Sequence, residues 1–255
     1  MTSRLMIGFC AILLLNVSHP GRPQSNVGTS SASAAVTVNS MTVGLRGYWR
    51  LDEGSGTTTA DSSSYGNTGS LSGTPLPTWT TGITGNAILL GKLGGFVNFP
   101  GSPSLNNLQS QGGMSVVAWI YPTSLSGSQA ILYKGTWVLS LDGNGIFGFG
   151  DFCTSGQVGS YSPANTVPLN QWTQLVATWN GSTTSSAVVL YVNGSAAISA
   201  YPSGCSGSVS SDSAYALTLG ATYPNGAPLV GKIDDVRVYN RVLSATEVST
   251  LYNMK

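Results

Sequence analysis

The side chains that most often carry acid–base catalysis are scarce in this chain. His19 is the only histidine among the 255 residues, and Glu53 and Glu247 are the only glutamates. Catalysis by Ser-His-Asp or Cys-His groups needs an imidazole, and most glycosidases need two carboxylates beside the scissile bond. Asp234 and Asp235 are sequence neighbours, and in a strand they would point to opposite faces. The sequence therefore favours a protein that is not an enzyme.

Oxygen-bearing side chains give the strongest indication of a metal site. Asp61 and Asn67 bracket a loop rich in Ser and Gly, and Asp234 shares the alternation of Val236 and Val238, which predicts that it is partly buried. Hard cations such as Ca²⁺ take about six to eight oxygen ligands. Asp61, Asn67 and Asp234 are therefore candidate ligands of a structural Ca²⁺. The alternative is a local role, in which Asp61 caps its own turn and Asp234 accepts hydrogen bonds from backbone or hydroxyl donors.

Five aromatic residues lie in or near predicted loops, where a ring could stack on a sugar while nearby Asn, Gln and Ser side chains bond its hydroxyls. The candidates are Trp79, Trp137, Tyr161, Tyr201 and Tyr223. The alternative is that these rings close the ends of the folded domain.

The low charge of the chain excludes two classes of partner. Only 7% of the residues are charged, and the net charge is +1. Nucleic acids and anionic membranes are usually bound through a basic patch, which this composition does not supply. We therefore expect neither nucleic acid nor a membrane as a partner.

The N-terminal residues predict export. Arg4 precedes an apolar run of eleven residues, from Leu5 to Leu15, which suits the core of a signal peptide and is too short to cross a membrane comfortably. We therefore predict a signal peptide over residues 1–19. Residues 20–42 are rich in Ser, Ala, Thr, Asn and Gly, and they are predicted to form a disordered tether. Residues 43–255 remain for one domain of a protein that is secreted or held at the cell surface.

Cys153 and Cys205 are the two cysteines that follow the predicted signal peptide. An even number of cysteines in an exported chain predicts a disulfide bond. The bond would join the loop after Phe152 to the loop after Tyr201. Two free thiols are the alternative.

Short runs with period-two patterning, separated by turn residues, predict the elements that position these side chains. Two runs end at hairpin turn signals, at residues 142–145 and at residues 193–194. The one predicted helix covers residues 245–253 and begins with a capping box formed by Ser244 and Glu247. Because no long amphipathic helix lies between the strands, an antiparallel sandwich is favoured over a parallel sheet.

Five segments carry a further pattern, in the order 47–56, 61–67, 114–122, 172–179 and 231–244. The last of them contains Ile-Asp-Asp-Val-Arg-Val-Tyr-Asn-Arg-Val-Leu-Ser. Together they resemble the laminin G-like, concanavalin A-like jelly-roll domains that are common in secreted bacterial proteins. The resemblance runs from about Val43 to Tyr252. The loop at 61–67 departs from the family pattern, since Ser64 and Tyr65 replace its usual glycine.

This resemblance implies an all-β fold, an antiparallel jelly-roll β-sandwich with one short C-terminal helix. It also implies that the loop of Asp61 lies near the last strand, which would bring Asp61, Asn67 and Asp234 together. Many glucanases of this fold carry an E-x-D-x-x-E strand motif, and no such spacing occurs here. The expected function is a secreted, non-catalytic, lectin-like module that binds an extracellular glycan. The alternatives are a structural or adhesive module that binds a cell-surface protein, and a polysaccharide hydrolase or lyase with an atypical site.

Overall fold

The computed structural model describes residues 41–197, 199, 202–223 and 226–255. The predicted signal peptide and residues 20–40 of the predicted tether lie outside the described residues. Within the described part of the chain, no helix has the length and apolar character needed to cross a bilayer. The described residues form two antiparallel sheets and one short C-terminal helix, which confirms the predicted jelly-roll sandwich.

Sheet A contains eight strands, in the order β14-β13-β12-β7-β17-β5-β4, with β1 paired to β17. Its strands are β1 (Leu45–Trp49), β4 (Thr78–Thr81), β5 (Asn86–Leu90), β7 (Met114–Pro122), β12 (Thr173–Trp179), β13 (Val188–Val192), β14 (Ser195–Ala196) and β17 (Gly231–Tyr239).

Sheet B contains nine strands, in the order β11-β10-β9-β8-β16-β6-β3-β2, with β15 paired to β10. Its strands are β2 (Thr58–Thr59), β3 (Gly69–Ser72), β6 (Phe96–Phe99), β8 (Gln129–Lys134), β9 (Trp137–Asp142), β10 (Ile146–Ser155), β11 (Gln157–Tyr161), β15 (Ser206–Val209) and β16 (Leu217–Leu219). Three 3-10 turns, Pro103–Leu105, Leu108–Gln111 and Gly143–Gly145, lie between strands, and helix α1 is Ala245–Asn253.

Alternate residues of both sheets fill the core between them. Val97 and Phe99 of β6 face Val116 and Ala118 of β7 across one continuous cluster of buried apolar side chains. Trp49 is fully buried there, with its ring 4.2 Å from that of Phe99. Burial of each such side chain stabilises the fold by about 1.5–3 kcal/mol. The core therefore fixes which face of each strand remains outside.

The last strand departs from the predicted alternation at a β-bulge. Between Asp234 and Arg237 the register with β7 shifts, and Asp235 has a left-handed φ of 46°. Ile233 and Val236 both lie in the core cluster, whereas Asp234 pairs with Trp119 on the outer face of sheet A. The prediction that Asp234 shares a face with Val236 is therefore wrong, because the bulge inserts one residue between them.

Helix α1 covers the outer face of sheet A. Its Ser244–Glu247 capping box is formed as predicted. Val248 and Leu251 of the helix form a second apolar cluster with outward-facing residues of sheet A. Met41 belongs to the same cluster and is 6% exposed. The folded part therefore includes Met41, two residues before the predicted start of the domain.

Replacement of Met41 by alanine is expected to reduce the free energy of unfolding by about 2 kcal/mol, because it leaves a cavity in this cluster. Val43→Ala is the matched control, since Val43 is 59% exposed, and it should change stability little. Chemical denaturation of the two variants measures both values. Equal stabilities would contradict the packing of Met41.

Candidate functional site

Two adjoining cavities form a groove on the outer face of sheet B. Their volumes are about 500 Å³ and 170 Å³, and Tyr133 lines both. Three further tyrosines line one or the other, so we call this surface the tyrosine groove. Its tyrosines are Tyr133, Tyr161, Tyr215 and Tyr223, and its other lining residues are Asn98, Gly101, Ser128, Ala130, Val138, Ser140, Asp142, Ser213, Ala214, Ala216, Thr222 and Ala227.

The strand register shows which residues form the floor of the groove. Asn98, Thr218, Tyr133 and Val138 are direct partners across β6, β16, β8 and β9. Direct partners in an antiparallel sheet point to the same face. Since Val97, the neighbour of Asn98, lies in the core, this row points away from the core. The amide oxygen of Asn98 has no hydrogen-bond partner.

Gly148 leaves room for the ring of Tyr161 at one end of the groove. Gly148 of β10 pairs with Tyr161 of β11, and a Cβ at position 148 would overlap the Tyr161 ring. The absence of a side chain there lets the ring lie directly over its neighbouring strand. Burial raises the pKa of the Tyr161 hydroxyl, and the negative charge of Asp142 adds to this effect, while a hydrogen bond from Gln157 opposes it. Tyr161 is therefore a neutral hydrogen-bonding group at physiological pH.

The other side of the groove is a loop, residues 210–216, that a buried lysine holds in place. Lys134 is 1% exposed, and its Nζ donates to the carbonyl oxygens of Asp212 and Tyr215 and to Oδ1 of Asn106, each at 2.9 Å. Its Nζ also lies 3.4 Å from Oδ1 of Asp212. Burial lowers the pKa of Lys134, although Asp212 opposes the shift. The lysine thus links strand β8 to the loop that carries Tyr215.

Tyr215 and Tyr223 are the most exposed rings of the groove, at 48% and 63%. A Cβ at Gly135, in the turn after β8, would overlap the Tyr215 ring, so that ring rests on the turn. Tyr223 contacts Phe96 edge to face, with ring centroids 6.3 Å apart. Both rings therefore stand at the rim, where a ligand can reach them.

The five predicted ligand-binding aromatics occupy different places in the structure. Tyr161 and Tyr223 line the groove. Trp137 is 1% exposed, and its Nε1 donates to Oδ2 of Asp212 at 3.0 Å. Because Trp137 is buried in the core, it cannot stack on a ligand, which corrects the prediction. Trp79 lies on β4 of sheet A, packed against the core, and Tyr201 lies outside the described residues.

Tyr133, Tyr215 and Asn98 were missed by the sequence analysis. Tyr133 and Asn98 sit inside strands, where only the alternation with core neighbours marks them as outward-facing. That signal was present in the run from 96 to 99. No local signal marks Tyr215, whose position depends on Lys134, which is remote in sequence.

Two of the three predicted metal ligands, Asp61 and Asn67, contact each other, whereas Asp234 has other partners. Asp61 accepts five hydrogen bonds, from the backbone of Tyr48, Ser63 and Asn67 and from the side chains of Ser63 and Asn67. Asp234 instead accepts from the backbone of Ile83 at 2.9 Å and of Asp235 at 2.7 Å. A cation at Asp61 would have to displace these donors, so the residues do not fit a Ca²⁺ ion, and the local role of Asp61 fits the geometry. Among the described residues, no group of three His, Cys, Asp or Glu side chains could hold a metal.

Asp234 borders a small polar cavity of about 60 Å³ on the sheet A side, together with Tyr48, Asp235 and Arg237. Arg237 pairs with Asp235 at 3.1 Å and donates to the hydroxyl of Tyr48 at 2.9 Å. Burial raises the pKa of Asp234 to about 7, although hydrogen bonds from the backbone of Ile83, Asp235 and Thr84 oppose the shift. The bulge thus creates a charged cluster that is separate from the tyrosine groove.

Asp151 is a buried carboxylic acid that the sequence analysis did not identify. Its side chain is fully buried, and neither oxygen has a hydrogen-bond partner. Thr136 and the backbone of Phe152 lie near it, but the N–H of Phe152 already donates to the carbonyl of Thr136 at 2.9 Å. Burial raises the pKa of Asp151 to about 7. At physiological pH Asp151 is therefore divided between its protonated and ionised forms, inside the sandwich.

Cys153 and Cys205 form a disulfide bond, which confirms the prediction from the cysteine count. Their Cα atoms are 6.2 Å apart. The bond joins β10 to the residue before β15, and these two strands also pair directly at Cys153 and Val209. It therefore fastens β15 to β10.

Comparison with known proteins gives a consistent family and fold. A profile described as the concanavalin A-like lectin/glucanases superfamily matches residues 92–249. A search of curated protein sequences finds no match.

Among solved structures, the chain is similar to domain 4 of AbnA, a GH43 extracellular arabinanase from Geobacillus stearothermophilus, in complex with arabinotriose. The identity is 20%, the TM-score is 0.58, and the match covers 82% of this chain and 98% of that one. The binding domain of Paraclostridial Mosquitocidal Protein 1 matches at 16% identity and a TM-score of 0.65, over 82% of this chain and 52% of that one. The botulinum neurotoxin serotype D binding domain matches at 18% identity and a TM-score of 0.61, over 83% of this chain and 52% of that one. At these identities the structures bear on the fold alone, and the chain spans about half of the two toxin domains. The sequence match extends over more than half of the chain, and the two sheets form the expected sandwich, so the chain belongs to the concanavalin A-like lectin/glucanases superfamily.

Proposed function

We propose that this protein is a secreted, lectin-like module that binds a glycan in the tyrosine groove and does not cleave it. The observation that carries the proposal is the gathering of four tyrosines with hydroxyl and amide side chains along one face of sheet B. Tyrosine rings offer apolar faces to sugar rings, and their hydroxyls offer directed hydrogen bonds. The apolar run at residues 5–15 supports secretion.

The composition of the groove supports binding over catalysis. Among the described residues that line it, Asp142 is the only carboxylate, and none is a histidine, lysine, arginine or cysteine. Retaining and inverting glycosidases both need a pair of carboxylates, about 5–10 Å apart. A groove with one carboxylate can hold and orient a sugar chain, but it lacks the second acid that this chemistry requires. The similarity to a domain solved with arabinotriose is compatible with a sugar ligand.

The test is binding of the full chain to a glycan array, followed by titration of the best ligand into two groove variants. Tyr133→Ala and Tyr161→Ala should each weaken binding by about 30-fold, since a central aromatic contact contributes about 2 kcal/mol. Tyr65→Ala is the matched control, because Tyr65 is an exposed tyrosine on the loop of Asp61 and lies outside the groove.

The result expected is glycan binding that both groove variants lose and the control keeps. Binding of a protein receptor with no retained glycan would favour the adhesive alternative. Release of reducing sugar ends from a bound polysaccharide would favour a hydrolase with an atypical site.

A further inference from the structure

The described part of the tyrosine groove contains one carboxylic acid and no basic side chain. Of its sixteen described lining residues, Asp142 alone has a carboxyl group, and none is Lys, Arg or His. Lys134 follows the groove residue Tyr133 in the sequence, but its side chain points into the interior. Its Nζ donates to Asn106, Asp212 and Tyr215 and pairs with the Asp212 carboxylate. A carboxylate or sulfate group on a ligand would therefore find no cation in the groove. Near Asp142 it would also meet a like charge, which is costly in a partly desolvated site.

The Asp142 carboxylate is available to a ligand. It is half-buried at the end of β9, and the 3-10 turn that follows receives no side-chain cap from it. No described residue donates a hydrogen bond to its side chain. It lines the smaller cavity beside Tyr161, Ser140 and Tyr133. A carboxylate in this position accepts hydrogen bonds from sugar hydroxyls and repels acidic groups.

The groove is also longer than one sugar ring. It extends from Tyr161 on β11 to Asn98 on β6, which are separated by four strands in sheet B. With strands about 4.8 Å apart, this distance is about 24 Å. The ligand contacts therefore run across the strands and not along one of them.

Building on the proposed function, we infer that the tyrosine groove takes an uncharged polysaccharide chain of several sugar units, lying across the strands, and that Asp142 sets its selectivity against acidic glycans. Tyr161 and Tyr133 contact successive parts of the chain, and Tyr215 and Tyr223 contact its far end. Asp142 is a specificity-determining residue, since it discriminates by charge as well as by hydrogen bonding.

The inference is tested by affinity electrophoresis of the full chain in gels that contain one polysaccharide each. The neutral probes are arabinan, xylan, galactan, mannan and mixed-linkage glucan, and the acidic probes are polygalacturonate and alginate. Wild type should be retarded by at least one neutral probe and by neither acidic probe. Asp142→Lys should bind an acidic probe at least tenfold more tightly than wild type, and salt should abolish this gain. Thr246→Lys, which adds a lysine to exposed helix α1 on the opposite sheet, should show no such gain.

Chain length is the second measurement. Affinity for oligosaccharides of the retarding polymer should rise at least tenfold from the monosaccharide to the tetrasaccharide. Retardation of wild type by an acidic probe as strongly as by any neutral one would overturn the selectivity while leaving glycan binding intact. Equal affinity for the monosaccharide and the tetrasaccharide would overturn the extended chain. Failure of every probe and of the glycan array would overturn this inference together with the proposed function.

Discussion

The Asp151→Asn protein is expected to have a larger free energy of unfolding than wild type at about pH 8. The difference between the two proteins should be about 3 kcal/mol larger at about pH 8 than at about pH 5. The pKa of Asp151 is raised from 3.8 to about 7 by burial. Between about pH 4 and pH 7, folded wild type therefore keeps a proton that the unfolded chain has released. Its stability must fall as the pH rises through this range, and it levels off above the folded pKa. Asparagine has no carboxyl group to ionise, so the stability of the variant does not fall for this reason as the pH rises.

The measurement is the free energy of unfolding of both proteins in denaturant at several pH values. Comparison at about pH 5 serves as the internal control, because the folded acid is then protonated and the two side chains differ least. Part of the pH dependence should persist in the variant, since burial also raises the pKa of Asp234 to about 7. Parallel stability curves for variant and wild type across this range would show that Asp151 ionises normally.

Loss of the disulfide bond should lower the free energy of unfolding by several kcal/mol. The sequence separation of Cys153 and Cys205 is 52 residues, and the loop-entropy model assigns about 4 kcal/mol to closing a loop of that size. The Cys153→Ser/Cys205→Ser protein should therefore melt about 10 °C below wild type. Differential scanning calorimetry measures this shift.

Reduction provides the matched control for the disulfide. Wild type with reductant should melt close to the double serine variant, and the variant itself should be insensitive to reductant. A variant that melts within about 2 °C of oxidised wild type would mean that the bond closes a loop already ordered in the unfolded chain.

The parts of the fold with local causes were predictable from the sequence. Helix α1 occupies the predicted residues 245–253, because its capping box and its apolar spacing lie within nine residues of each other. Strand β6 occupies 96–99, where alternating apolar residues end at Pro100. Both signals depend only on neighbouring residues, so no knowledge of the tertiary structure is needed to interpret them.

Features that depend on pairing between distant segments were not predictable. The bulge at Asp235 arises where β17 meets both β1 and β7, and it reverses the face assigned to Asp234. Trp137 was interpreted as a loop aromatic, although β8 and β10 flank its strand and place its ring in the core. The pair of Lys134 and Asp212 spans 78 residues, and nothing near either residue marks it as buried.

The tyrosine groove depends both on local sequence patterns and on pairing between distant segments. Tyr161 was predictable as an exposed aromatic beside polar residues, but its contact with Gly148 requires the β10–β11 hairpin. Tyr133 follows from the alternation of β8, once its apolar neighbours are known to face the core. Tyr215 becomes part of the site only through the lysine beneath its loop.

The packing of Met41 with helix α1 has a consequence for how the domain is displayed. Met41 and Leu251 lie in one cluster on the outer face of sheet A, whereas the tyrosine groove lies on the outer face of sheet B. Met41 and Leu251, near the two ends of the described part of the chain, therefore lie on the side of the sandwich opposite the groove. If the domain were attached to a support through its sheet A side, the groove, which we propose binds a glycan, would face away from the support, and several copies could engage a long polymer at once. Such an arrangement turns weak single contacts into strong attachment through effective concentration.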